Sequence, residues 1–321
     1  MRLFDNANYN VMARWKPAMI ITVLFVIPGL VLLAVHGLNS SIEFTGGTLF
    51  QVHANSPAVE TQSIRTALSS GGITGAEIQT FGAADEFVIR ARLDPRAQVS
   101  EETTQETERA VRAALTAAFT QEGYEIVRTE AVGPKVGSEL RERAVLALVM
   151  GFGATFLVLW FRYEWRFGLA AIVATLHDII ATFAFVSYLN LEISLVVLAA
   201  LLTLVGYSLN DTIVTFDRVR ENVKKTKRQQ YFYDILNQSI NETLPRTVLT
   251  SGTTAAATLA LLILGGSVIR PFAWVMTFGI VTGTFSSIFI ASPVLLWVER
   301  RWPSEDVKVK RGIGMAAPVT A

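Results

Sequence analysis

The chain has 321 residues, of which 51% are apolar and 17% charged; its formal net charge is +1 and its mean hydropathy +0.41. That is too apolar for an ordinary soluble protein and too close to neutral for a general nucleic-acid binder. It has no cysteine, which excludes disulfides, thiolate metal sites and cysteine nucleophiles, and its three histidines, His36, His53 and His177, are too scattered to suggest a zinc or haem site.

A helix needs about 20 mostly apolar residues to cross a bilayer core. The first such run, span one, covers 18–35 behind a short N-terminal segment, 1–17, that carries Arg14 and Lys16. It is long for a signal peptide and no small-x-small cleavage pattern follows it, so it reads as an uncleaved anchor. A polar stretch, 36–143, comes next and is too long to be a mere loop. In it Ile42–His53 reads as a strand interrupted by Gly46-Gly47, and Ala58–Ser70 as a helix with Val59, Ile64, Ala67 and Leu68 toward one face, stopped by Gly71-Gly72. Ala76–Phe81 and Glu86–Leu93 read as strands around a turn at Gly82–Asp85. Glu101–Glu122 reads as a helix capped by Ser100 and ended by Gly123, and Tyr124–Val132 as a last strand. The order β-α-β-β-α-β is the ferredoxin-like arrangement, an α+β fold that serves many functions. With no nucleophile–base pair and no metal cluster in its sequence, it reads as a binding or lever domain rather than an enzyme domain.

Five further apolar runs follow at 144–161, 167–189, 193–216, 247–265 and 272–298, with a polar segment, 217–246, between the fourth and fifth spans and a tail at 299–321. Basic residues fix an orientation by the positive-inside rule. Arg2, Arg14 and Lys16 precede span one, Arg162 and Arg166 join spans two and three, Arg218 to Arg228 join four and five, and Arg300 to Arg311 follow span six. Six spans place all four segments on one side, so both termini are expected in the cytoplasm and 36–143 outside it. The run at Arg218–Arg228 is explained by topology rather than by nucleic-acid binding. Trp160, Tyr163, Trp165, Trp297 and Trp302 are expected as interfacial anchors. Small residues at fourfold spacing, Gly252, Ala256 and Ala260 in span five and Gly279, Gly283, Ser287 and Ala291 in span six, predict a close pairing of those two helices.

Two acids lie inside spans. Asp178 is mid-way along span three, in Leu176-His177-Asp178, and Asp211 toward the cytoplasmic end of span four, after Asn210. An ionisable group at that depth is expensive and needs a partner or a purpose. Helical spacing gives Asp211 a polar face of Tyr207, Ser208 and Thr215, and gives Asp178 Thr175 and Thr182. Arg246, at the start of span five, is the nearest cation in sequence. Such a carboxyl group is suited either to carry a proton or to staple helices together. His177 reads as a packing or tautomer partner.

The segment Gly206–Asn222, GYSLNDTIVTFDRVREN, resembles the fourth-span signature of the SecF family of the bacterial Sec protein-translocation machinery. Ile42–Thr48, Val132–Gly137, Leu176–Asp178, Thr243–Thr247 and Thr250-Ser251 resemble further motifs of that family in the same order. The related SecD family shares the Phe-Thr-Gly-Gly element but has a different pattern around its fourth-span acid. The resemblance implies a polytopic α-helical membrane protein, one six-span half of an RND-type fold with the ferredoxin-like domain inserted, in the bacterial cytoplasmic membrane. It implies partnership with SecD, the SecYEG channel, YajC and unfolded preprotein. It implies no cofactor beyond the proton gradient, with Asp211 as proton-relay residue, Arg246 working with it, Ser208, Asn210 and Thr215 around it, and Asp178 in a lesser role. A unit charge crossing about 100 mV gains about 2.3 kcal/mol, enough to bias a two-state lever without ATP, and no GxxxxGK[ST] motif is present. Rival readings are another RND-type exporter half, an intramembrane aspartyl protease using both acids, and a passive scaffold.

Overall fold

The computed structural model describes residues 8–55, 59–73, 76–80, 85–91, 101–120, 122–225, 231–266 and 268–304, without the side chains of 101–104, 134 and 160. In chain order the elements are α1 (Trp15–His36), α2 (Ile42–Thr45), β1 (Gly47–Ala54), α3 (Thr61–Ser70), β2 (Glu77–Thr80), β3 (Glu86–Ala91), α4 (Glu101–Phe119), β4 (Tyr124–Val132), α5 (Pro134–Arg162), α6 (Trp165–Tyr188), α7 (Leu195–Lys225), α8 (Phe232–Leu264), α9 (Arg270–Ser286) and α10 (Ser292–Arg301). A π-helical stretch, Ser287–Ala291, joins the last two. The chain forms two compact units. The helical one comprises Met1–Leu38, Leu148–Leu191 and Val196–Ala321, and the α+β one comprises Asn39–Ala147 with Glu192–Leu195.

The α+β unit has one antiparallel sheet in the order β2-β3-β1-β4, the ferredoxin-like topology. β1 pairs β4 with a register shift between Gln51 and Val52. Every second residue of the strands feeds one core, in which Phe50, Val52, Phe87, Ile89 and Tyr124 meet Ile64 and Leu68 of α3 and Val111 and Leu115 of α4. A capping box holds the start of α3, with Glu60 N–H donating to Ser63 Oγ at 2.8 Å. Gly72, at φ +83°, ends its exit turn, as its place in the sequence suggests.

Two expectations for this unit are corrected. Ile42–His53 is not one strand: Ile42–Thr45 makes a helical turn, Gly46 closes it at φ +75°, and only then does β1 begin. A short apolar run carries no period that separates strand from helix, and a left-handed glycine permits the change of direction. The second helix ends at Phe119, where Thr120 takes φ +63°, before the expected stop at Gly123. The expected helix start at Ala58, the Gly82–Asp85 turn before its last residue, and the Ser100 cap lie outside the described residues.

Among the described residues, six helices are long and apolar enough to cross a membrane: Met12–His36, Lys135–Leu159, Trp165–Tyr188, Leu195–Lys225, Phe232–Leu264 and Arg270–Arg301. Most of 217–246, expected as a loop, is helical, because α7 runs to Lys225 and α8 starts at Phe232. Hydropathy marks where lipid surrounds a helix, not where the helix ends. The polar extensions are clamped by Glu242, which accepts from Arg218 Nε at 2.5 Å and Asn222 Nδ2 at 2.7 Å. Asn241 exchanges two 2.8 Å bonds with the backbone of Tyr9, pinning the N-terminal segment to α8. At the aromatic end, Trp302 lies 5.9 Å from both Trp165 and Trp297, and Arg166 Nε donates to its carbonyl at 2.6 Å. Trp160's side chain, Lys227, Arg228 and the basic tail from 305 onward lie outside the described residues.

The expected pairing of α8 with α9 is present, Thr284 Oγ1 donating to Ser251 Oγ at 2.7 Å and Thr277 Oγ1 to Thr258 Oγ1 at 2.9 Å, but the glycines of span six lie against α7. A side chain on Gly279 would run into Leu204, and a Cβ on Gly283 would lie 3.0 Å from that of Ser208. Gly252 of α8 faces open space. Spacing alone reveals a close-packing face without naming its partner.

Candidate functional site

The two intramembrane acids are both buried, Asp178 at 1% exposure and Asp211 at 3%. Each therefore depends on the side chains around it. On α7, Asp211 points toward α8 and α9. Ser251 Oγ donates to Asp211 Oδ2 at 2.9 Å, and Thr284 Oγ1 donates to Ser251 Oγ at 2.7 Å. Asn210 and Thr284 also act on the carboxyl group as hydrogen-bonding side chains. The result is a file of hydroxyls leading from α9 through α8 to the acid.

Arg246 lies on an exposed face of α8 and acts on Asp211 electrostatically through space. Among the described residues the two form no ion pair. The arrangement leaves the Asp211 carboxyl group hydrogen-bonded by neutral side chains, with a cation nearby that is not fastened to it.

Asp178, on α6, has a different set of partners. Ser208 of α7 donates to Asp178 Oδ2, Ser286 of α9 donates to the same oxygen at 2.7 Å, and His177 Nδ1 lies 3.0 Å from Oδ1. Three helices meet on this one carboxyl group. It has the form of a staple, fully occupied and closed to solvent.

Several residues expected to serve the acids do something else. Ser208 serves Asp178, not Asp211, because three residues turn a helix by about 300° and leave the two side chains about 60° apart. Thr215 faces Thr243 with 3.5 Å between their hydroxyls. Thr175 and Thr182 donate to the carbonyls of Ala171 and Asp178, at 2.9 Å and 2.7 Å. Tyr207 donates to the Thr250 carbonyl at 3.3 Å. Such bonds one turn back are the usual resort of hydroxyls in apolar helices. Of the expected set, Asp211, Asn210 and Arg246 are brought together; Ser208 and Thr215 are not part of that group.

The residues that sequence reasoning missed are Ser251 of α8, which donates directly to Asp211, and others in α9 and at its junction. Thr284 reaches the Asp211 file, Ser286 binds Asp178, and Ser287 Oγ lies 2.7 Å from Thr212 Oγ1. The π-helical stretch starts at Ser287, and its wider turn reorients consecutive hydroxyls. The available signal was three hydroxyls within four residues, Thr284-Phe285-Ser286-Ser287, in an otherwise apolar span. Among the described residues no group of three or more acids and histidines is placed to hold a metal ion.

Six membrane-length helices among the described residues, an inserted ferredoxin-like domain and an acid fed by hydroxyls from neighbouring helices define a multi-pass membrane protein. Residues 97–301 match the family model for the C-terminal part of the export membrane proteins SecD/SecF, and residues 31–58 match the SecD/SecF GG motif. The chain is 50% identical over 325 aligned residues to protein translocase subunit SecF of Gemmatimonas aurantiaca, covering 100% of this chain and 97% of that one. It is 43% identical over 274 residues to protein translocase subunit SecDF of Thermus thermophilus, covering 85% of this chain and 36% of that longer one. The crystal structure of SecDF, a translocon-associated membrane protein from Thermus thermophilus, superposes with a TM-score of 0.82 at 38% identity, covering 94% of this chain and 40% of that one. The chain belongs to the SecF family.

Proposed function

We propose that the chain is a SecF-type accessory subunit of the Sec preprotein translocase, working with SecD in the bacterial cytoplasmic membrane. Protonation and release at Asp211 couple the proton motive force to late steps of protein export. The observation that carries this reading is the buried Asp211 carboxyl group at the end of the Thr284–Ser251 hydroxyl file, with Arg246 nearby but unfastened. A carboxyl group so placed can change charge without breaking an ion pair first. In its charged state it draws Arg246, and in its neutral state it does not.

A partnership with SecD is supported by the Thermus thermophilus relative, whose single chain is named SecDF. The SecYEG channel, YajC and unfolded preprotein enter as partners on the family resemblance. The orientation, with both termini cytoplasmic and the α+β unit periplasmic, rests on the clustering of Arg and Lys in four of the segments between and beyond the spans. The chain acts without catalysing a covalent reaction of its own. An aspartyl protease needs two carboxyl groups sharing a proton at close range. Here each acid has its own hydroxyl partners, which argues against that chemistry. Asp178 serves chiefly as the staple between α6, α7 and α9.

The test is secretion of a reporter preprotein, followed by pulse-chase, in cells whose only copy of the chain carries Asp211→Asn. Loss of stimulation at normal accumulation supports the relay. If secretion is lost only when the protein is absent, and Asp211→Asn is fully active, the chain is a passive scaffold.

A further inference from the structure

The segment between the third and fourth membrane-length helices is only a few residues long, yet Glu192–Leu195 belongs to the α+β unit. Three kinds of contact hold it there. Ser41 N–H donates to the Ile193 carbonyl at 2.9 Å and Ile193 N–H donates to the Asn39 carbonyl at 2.7 Å, so that Ser40 and Ile193 form a parallel β-bridge. Arg90, buried on the inner strand β3, forms an ion pair with Glu192 and also reaches Asn39 Oδ1 at 3.3 Å and Glu77 at 3.7 Å. Glu43 of α2 accepts a 2.5 Å hydrogen bond from Leu195 N–H, the first residue of α7, and another from Ser41 Oγ at 3.2 Å.

These contacts are specific rather than incidental. A guanidinium buried this deeply is held only where its partners are fixed, and among the described residues Arg90 Nε has no acceptor, so Glu192, Asn39 and Glu77 compensate the rest of the group. A carboxylate on the first N–H of a helix satisfies an orphan donor and opposes the helix dipole. Glu43 thereby grips the beginning of the helix that carries Asp211, sixteen residues further on. The groups facing Glu192 are Arg90 from β3, Glu43 from α2, Glu130 from β4 and, through Arg90, Glu77 from β2.

We propose that Arg90, Glu192 and Glu43 form a joint that stays closed and fastens the start of α7 to the sheet, making Arg90 and Glu43 positioning residues for the Asp211 helix. This rests on the relay reading of Asp211.

The lack of cysteine makes the test direct, because Ser40→Cys with Ile193→Cys places one disulfide across the bridge, at a spacing a disulfide tolerates. Full-length variants are expressed with SecD in cells lacking the native chain, and reporter secretion is measured by pulse-chase with accumulation measured in parallel. Arg90→Glu is expected to lower stimulated secretion to the level of cells lacking the chain. Arg90→Glu with Glu192→Arg, or Arg90→Glu with the disulfide, is expected to restore at least half of it. The disulfide alone is expected to leave the rate unchanged.

Full activity of Arg90→Glu overturns the proposal. So does failure of both the charge exchange and the disulfide to rescue it, or loss of secretion on forming the disulfide in the wild type with recovery on reduction, since that joint must open. Should Arg90→Glu fail to accumulate, Arg90→Gln with and without the disulfide makes the same comparison. Asp211→Asn run alongside separates the two claims: its full activity sinks the relay, while rescue by the disulfide still reports on the joint.

Discussion

Ser208 lies one turn before Asp211 on α7, yet its hydroxyl is given to Asp178 on α6, where Ser286 of α9 joins it on the same oxygen. The fourth span therefore serves two acids with two faces. One face holds α6, α7 and α9 together. The other leaves Asp211 to the Ser251–Thr284 file.

The staple predicts a stability effect. Removing a partner of a buried hydrogen-bonding group costs about 1–3 kcal/mol. Ser208→Ala and Ser286→Ala should each lower the thermal stability of the purified chain in detergent by about that amount. Combined with Asp178→Ala, each should cost clearly less than the sum of the separate effects. Strict additivity, read by circular dichroism, would show that the serines do not act through Asp178.

Packing of α9 on α7 gives a second contrast. Gly279→Leu forces a side chain into Leu204 and should cost about 1–3 kcal/mol or more, seen as reduced accumulation in the membrane. Gly252→Ala meets open space, and the gain in helix propensity is about 1 kcal/mol, so the isolated chain should be no less stable. Equal losses from both would contradict the assignment of α7 as the partner of α9.

Glu192 predicts a pH dependence. Burial raises its carboxyl group above the usual carboxylate range, against the pull of Arg90, with Glu43 and Glu130 adding to the rise. A raised folded-state value means that folding favours the protonated form. The resulting stability is full below the unfolded value, about 4.3, and is lost as pH rises through the folded value. Wild type compared with Glu192→Gln should therefore lose relative stability with rising pH in that window and run parallel above it. The difference in melting temperature across a pH series measures this, and a relative gain with rising pH would reverse the sign argued here.

Much of this architecture was legible before the structure. A bilayer demands long apolar runs, so six spans stand out, and the alternation in Tyr124–Val132 marks β4 at both of its ends. The failures share a cause, since each needed a partner that sequence spacing does not name. Ile42–Thr45 folds as a turn because Gly46 closes it. Residues 217–225 and 232–246 are helical, with Glu242 clamping Arg218 and Asn222. Ser208 had the right chemistry and the wrong assigned neighbour, and Gly279 lies against α7 although α8 and α9 do pair. Thr284 and Ser286 were visible only as hydroxyls in an apolar run. Asp211 stood out in the sequence because an acid in lipid is costly wherever it points.

The most direct test of the central claim is proton-dependent secretion with Asp211→Asn. Inverted membrane vesicles containing the variant and SecD would be charged with a proton gradient and supplied with a radiolabelled preprotein. The account predicts wild-type accumulation and SecD co-purification, with no stimulation of translocation by the gradient. Stimulation equal to that of the wild type would contradict it.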